Sequence, residues 1–166
     1  MSINEQLTAI AENLNTIAEN EQRVYNAGVA EYKAKFSQMI DRSISGNIVI
    51  PNDITKIGNY AFCFCSNITG VTLHNGITII GSFGFYYCRS INNIIIPNSV
   101  SEIETYAFRY CTGLQYVDFS TFTTIPIIAA NAFESTTCEF RVPSVLYDEW
   151  IAATNWAAYA ERIVAV

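Results

Sequence analysis

An echo at 23 residues constrains this chain more than any other property. Cys65, Cys88 and Cys111 fall in one frame, as do Ala61-Phe62, the variant Gly84-Phe85 and Ala107-Phe108. Ile57, Ile80 and Ile103 keep the same step, and so do Ile68, Ile91 and Leu114. A fixed period of about 20 to 50 residues means stacked supersecondary units, none of which can bury its apolar face alone. The period dictates architecture. It says much less about function, because such stacks host many roles.

Three regular coils follow from it, at residues 48–70, 71–93 and 94–116. Each opens on a short run, Ile48-Val49-Ile50, Val71-Thr72-Leu73 or Ile94-Ile95-Ile96. Alternation of β-branched residues predicts a strand with one face buried. Pro51 and Pro97 follow two of these strands and His74 takes that place in the middle coil. Proline lacks an N–H and fixes φ, so it ends the strand. In the fourth coil Val117-Asp118-Phe119 is the predicted strand. Phe133 follows Phe108 by 25 residues, so an insertion is expected around Ile125-Pro126-Ile127. A last strand, Phe140-Arg141-Val142, meets Pro143. Residues 144–166 read as a helix with Ser144 as N-cap and an apolar face of Val145, Leu146, Trp150, Ile151 and Tyr159. The open end of a stack must be covered, so this tail is expected to be a cap.

The first 43 residues obey a different rule. Apolar residues fall at Ile3, Leu7, Ile10, Leu14 and Ile17, and Val24 resumes the seam beyond Glu21. A second seam, offset by one residue, runs through Tyr25, Val29, Tyr32, Phe36 and Met39. A 3.5-residue apolar repeat specifies a left-handed coiled coil. Such a narrow stripe suits pairing between helices better than docking on a broad sheet. Self-association is therefore expected, with a single helix folded back on the stack as the alternative. Isoleucine and leucine alternate between the two seam positions, which leaves two and three strands open. A homotrimer is the expectation and a homodimer the alternative. The predicted class is α+β: a coiled-coil helix at 1–43, about four coils at 44–143, and a helical cap at 144–166.

Several chemistries are disfavoured. At 51% hydrophobic and 14% charged residues the chain can bury a real core. It has no run of eighteen apolar residues, so membrane insertion is not expected. No basic start with an apolar h-region opens it, so no secretory signal is expected. A net charge of −6 argues against nucleic acid as a partner. The five cysteines lack zinc-ligand spacing and His74 is the single histidine. The cysteine column reads as a buried ladder of small side chains. Cys63 shares the outward column of Tyr86 and Arg109 and is expected to be the exposed one. No catalytic motif is present: no G-x-S-x-G, no H-E-x-x-H and no glycine-rich phosphate loop. Glu102 and Glu104 read as solvated. No enzyme activity, cofactor or metal is expected.

What is left to carry function is surface. Outward strand positions should be Val49, Thr72, Ile95, Asp118 and Arg141, forming one column. A second outward column holds Phe64, Tyr87 and Tyr110, beside Cys63, Tyr86 and Arg109. Aromatic side chains with a polar end are enriched at binding patches. The aromatic column is the best binding candidate, and burial of these rings between coils is the competing reading.

The stretch IPNSVSEIETYAFRYCTGLQYVDF, with its strand, Pro-Asn turn, isoleucine, Ala-Phe and Cys columns, resembles the BspA-like leucine-rich repeats. The close VPSVLYDEWIAATNWAAYAERIVAV resembles the usual end of such arrays. The resemblance covers about residues 48–166. It implies a leucine-rich-repeat β-solenoid and an adhesive or binding role without a shared catalytic site. IAENEQRVYNAG in the stem is similar to the N-terminal segment of tail-associated structural proteins of phages and prophages. Together these imply a non-enzymatic, fibre-like virion component. It would be made in the host cytoplasm, attached to a virion or tail protein through its stem, and bind a cell-surface protein or glycan receptor. The alternative is a bacterial adhesin-like module that binds a host or partner protein at the cell surface, its leader lying outside this sequence.

Overall fold

The computed structural model describes residues 44–166. Within them the predicted repeat becomes three ladders of short parallel strands. The first two ladders run along one side of the stack. There β1 (Gly46–Val49) pairs with β3 (Ile68–Thr72), and β5 (Asn93–Ile95), β7 (Tyr116–Asp118), β9 (Glu139–Val142) and β10 (Ile163–Ala165) continue in order. The third ladder runs β2 (Lys56–Ile57), β4 (Ile79–Ile80), β6 (Glu102–Ile103), β8 (Ile127–Ile128). Ile48 pairs with Val71, Ile94 with Val117 and Val117 with Phe140, which is the sequence period read out as register. Neighbouring strands are successive coils, so every coil supplies backbone partners for the next.

The inward columns are those the sequence marked. Ile57, Ile80 and Ile103 are at most 2% exposed, and Cys65, Cys88 and Cys111 are fully buried. The Phe62, Phe85, Phe108 and Phe133 rings stack with centroids 5.2, 5.2 and 5.0 Å apart. The Cys88 and Cys111 thiols each donate to a carbonyl of the preceding coil, Phe62 and Phe85, at 2.9 Å. Burial in apolar surroundings pushes both thiols well above their ordinary pKa. That keeps them protonated and unreactive.

His74 explains how the middle coil does without a proline. Its Nε2 lies 2.9 Å from the Pro51 carbonyl, and its Nδ1 accepts the Gly76 N–H at 3.0 Å. The two partners together specify the neutral tautomer with the proton on Nε2. One ring thus ties its own turn and latches it to the coil before. Replacing His74 by alanine should remove both bonds and lower stability by about 1–2 kcal/mol. The shift of the urea midpoint measures it, and an unchanged midpoint would deny the latch.

Four expectations need correction. The insertion in the fourth coil lies slightly earlier than Ile125-Pro126-Ile127. Strand β7 still holds the regular register, whereas Ile103 already pairs with Ile128, and the Asn98 side chain bonds Thr123. The extra residues therefore enter between Phe119 and Thr123, in the turn where an added loop disturbs no ladder. The tail is not one helix. It forms a 3₁₀ turn (Ser144–Leu146), a short α1 (Tyr147–Ala152), a 3₁₀ stretch (Ala157–Arg162) and β10. Ala153 is extended and Asn155 has φ 66°, so the helix stops there, and the β-branched Ile163-Val164 adds a strand to β9. Ser144 is not an N-cap: Pro143 holds that position, and the Ser144 N–H instead donates to the Val166 carbonyl. Val145, expected on the buried face, is 86% exposed, because the 3₁₀ turn rotates it away while Trp150 is fully buried. Trp150, Trp156, Tyr159 and Ile163 of this tail join the core that holds Phe119, Phe133 and Phe140.

The oligomerisation seam of Ile3, Leu7, Ile10, Leu14, Ile17 and Val24 lies outside the described residues.

Candidate functional site

The side of each coil between its second strand and its cysteine is a run of tight turns. Ala61, Cys63 and Cys65 donate their N–H groups to the Gly58, Tyr60 and Phe62 carbonyls, each three positions earlier. The same turns place Tyr60, Phe83 and Tyr106 at φ 61°, 57° and 57°, and Phe64, Tyr87 and Tyr110 at φ 65°, 63° and 60°. Left-handed backbone normally selects glycine or asparagine, and a bulky residue there costs about 1–3 kcal/mol. What holds these six aromatics is the neighbouring coil. Tyr60 and Phe64 donate backbone N–H groups to Ser82 and Tyr86, and Phe83 and Tyr87 donate onward to Thr105 and Arg109. The left-handed turn aims each N–H along the stack, so the strain is repeated and offset at every level.

Two aromatic columns result. Tyr60 stacks on Phe83 at 4.7 Å, and Phe83 meets Tyr106 at 5.1 Å. Phe64 meets Tyr87 at 5.1 Å and Tyr87 meets Tyr110 at 4.7 Å. Tyr86 sits between the columns, edge-on to Phe64, Phe83 and Tyr110. All these rings are half-buried. The competing readings of the sequence therefore both describe part of the geometry: the rings pack between coils and still show an edge to solvent.

Two arginines lie over this face. The Arg109 guanidinium rests 4.6 Å from the Tyr106 ring centre and 4.8 Å from that of Tyr110, and Arg89 rests 4.4 Å from Tyr87. Arg109 is held by Glu134 at 3.0 Å. Burial works against its charge, but Glu134 and the surrounding phenols prevail and raise its pKa above the ordinary value. Burial likewise raises the Tyr86 phenol, partly opposed by the Arg109 charge, so Tyr86 remains a neutral donor. The surface combines flat apolar area, neutral hydroxyl groups and a fixed cation, a composition suited to protein or polar-ligand recognition.

Cys63 does not join that surface. It is 6% exposed. Tyr86 and Arg109 in the same column reach outward because they are long, whereas a thiol ends close to the backbone. Cys138 is fully buried beside Thr136, and burial raises its pKa. Tyr60, Phe83, Tyr106 and Arg89 belong to the aromatic face and were missed in the sequence. A four-residue offset between aromatic pairs within each coil was their available signal.

The strand column is a separate face. Val49 and Ile95 are 53% and 60% exposed, Thr72 is exposed, and Asp118 and Arg141 are half-buried. Asp118 accepts the Ser120 N–H, Arg141 lies 3.6 Å over the Tyr116 ring, and Val164 on β10 extends the column. Thr72, Ile95 and Asp118 thus line the strands, while Phe64, Tyr86, Tyr87, Arg109 and Tyr110 line the turns. The fold does not merge them into one pocket.

Among the described residues no helix is long and apolar enough to cross a membrane, and no group of three or more acidic, histidine or cysteine side chains is placed to hold a metal. Glu104 is engaged structurally: it meets Lys56 at 3.3 Å and accepts from the Ser82 N–H and hydroxyl at 2.9 Å, joining three coils.

A parallel stack with these columns defines a repeat protein. The model of the BspA type leucine rich repeat region matches residues 40–145 in six copies, and the chain belongs to that family. Its repeats suggest a protein-interaction or adhesin-like module, typically without enzymatic function. Among curated proteins no relative matches the sequence.

Proposed function

We propose that this protein is a non-enzymatic adhesive β-solenoid whose aromatic and arginine face binds a cell-surface protein or glycan. The observation that carries the reading is the paired columns of strained, half-buried aromatics under Arg89 and Arg109. Strained backbone kept at every level of a surface accords with a face under selection for shape. In the favoured setting the protein is a fibre-like component of a phage or prophage particle. Its heptad segment at 1–43 joins copies together, as a homotrimer, and contacts a virion or tail protein. The support for that setting is the stem's likeness to tail-associated proteins.

A second reading is an adhesin-like module at a bacterial surface, favoured by membership of the BspA type repeats. Recovery of the protein with purified particles from the source culture, rather than with the cell envelope, separates the two.

The binding face has its own test. The Tyr87→Ala/Tyr110→Ala pair should weaken binding of the labelled protein to target cells at least tenfold, as read by flow cytometry. A pair of buried-to-exposed contacts of this kind costs about 1–3 kcal/mol when truncated at an interface. Unchanged binding by a folded double variant would remove the aromatic face from the proposal.

A further inference from the structure

The two arginines of the aromatic face are placed very differently. Arg109 is half-buried, and its guanidinium is taken by Glu134 at 3.0 Å. Cations elsewhere are engaged as well: Lys56 meets Glu104, Arg162 donates to the Thr136 carbonyl, and Arg141 lies half-buried over the Tyr116 ring. Among the described residues Arg89 is the one exposed cation, and no carboxylate there lies within ion-pair distance of it. Its contact is the Tyr87 ring, 4.4 Å from the guanidinium carbon. The period accounts for the missing acid. Arg89 follows Cys88, and the residues in that frame one coil to either side are Ser66 and Thr112, both exposed and uncharged. A cation–π contact positions a guanidinium without consuming a conventional hydrogen bond, so its planar fork of donors stays open.

We propose that Arg89 seats the acidic group, a carboxylate or sulfate, of a glycan bound on the aromatic face; the proposal rests on the reading of that face as the binding surface. Charge complementarity commits the ligand to an anion. A chain of net charge −6 disfavours acidic partners in general, so one uncompensated cation admits an acid at one point. The guanidinium fork matches two oxygens of a carboxylate or sulfate together. The surroundings favour a sugar over a protein. Three residues on from Arg89 and from Thr112, the Asn92 and Gln115 side chains are exposed on successive coils, which are joined there by the Gln115 N–H to the Asn92 carbonyl at 2.7 Å. Side-chain amides both donate and accept, and so do the Ser66 and Thr112 hydroxyls, which is what several sugar hydroxyl groups require at once. A protein hot spot works by filling a pocket on its partner, whereas Tyr87 and Tyr110 are half-buried and packed on each other at 4.7 Å. The large apolar side chains that are exposed, such as Ile95, Ile127 and Val145, lie on the strands and the tail instead.

The test presents the full chain with immobilised oligosaccharides in neutral, carboxylated and sulfated forms of matched backbone. An acidic form should be bound at least tenfold more tightly than its neutral counterpart, and which acidic form is bound identifies the acid. Arg89→Gln should erase that preference, and Arg89→Lys should restore part of it through charge without the fork. Added salt should weaken acidic binding by the unaltered protein and leave that of Arg89→Gln as it is. Arg141→Gln removes the same charge from the strand column and should keep the preference. Equal binding of neutral and acidic forms overturns the proposal, as does no glycan binding at all, which would point to a protein ligand. An unchanged preference in Arg89→Gln, or an equal loss in Arg141→Gln, overturns it too. Target-cell binding separates this proposal from the reading beneath it. Binding lost in Tyr87→Ala/Tyr110→Ala but kept in Arg89→Gln refutes the acid seat alone, and binding kept in both refutes the face as well. A thermal scan checks that Arg89→Gln is folded; if it is not, the neutral-against-acidic comparison on the unaltered protein decides.

Discussion

Removing residues 144–166 is expected to convert a cooperatively folded protein into an aggregating one. The tail is bonded to the stack as well as packed on it. The Trp156 Nε1–H donates to the Pro126 carbonyl at 2.9 Å, the Asn155 side chain to Ile128 at 2.7 Å and the Tyr159 hydroxyl to Ala130 at 2.9 Å. Arg162 donates to the Thr136 carbonyl at 2.8 Å, and β10 covers the free edge of β9. Trp150, Trp156, Tyr159 and Ile163 are each buried. At about 1.5–3 kcal/mol per large apolar side chain, their loss is comparable with the whole stability of a domain, about 5–15 kcal/mol. The deletion also uncovers Phe119, Phe133 and Phe140 together with an unpaired strand edge, the combination that promotes association. Solubility, dye binding to exposed apolar surface and a thermal scan would check it. A truncated chain that stays soluble and melts cooperatively would refute the claim.

The second large effect is expected at Phe108. Its ring is fully buried between Phe85 and Phe133, stacked parallel to the latter. Alanine there should cost about 3–5 kcal/mol, because the cavity lies between layers held in register by strand ladders on two sides and can collapse little. Loss of two ring contacts adds to the transfer term. A urea series would register the loss as a lower midpoint. A shift under about 1 kcal/mol would mean that the coils close up around the gap, and that the phenylalanine ladder is less rigid than its geometry implies.

Much of this architecture is legible in the residue order because one number governs it. The same step that aligns Cys65, Cys88 and Cys111 on paper aligns them in space, fully buried, and the isoleucine columns follow. Departures come where local geometry and period part company. No propensity rule expects Tyr60 or Phe64 in a left-handed turn, since the compensation comes from hydrogen bonds to the next coil rather than from the residue itself. The tail misled because Trp150, Ile151 and Tyr159 fit a helical stripe, while Ala153 and Asn155 break the helix between them. Cys63 misled because a column predicts direction and not reach. The two candidate faces were readable as columns, but their separation depends on which side of a coil each turn points, which spacing alone does not encode.

One consequence follows from the way successive coils bond. The same carbonyls and N–H groups recur at each level, so every coil is an interchangeable rung. A whole 23-residue rung could be gained or lost by duplication or deletion with both ends left intact. Each duplication would lengthen the aromatic columns by one layer, and each deletion would shorten them by one. Single-residue changes of length have no such freedom and must hide in turns, as the extra residues between Phe119 and Thr123 do. The molecule therefore carries a ruler that lineages can extend in integer steps, with the breadth of its contact surface as the trait being measured out.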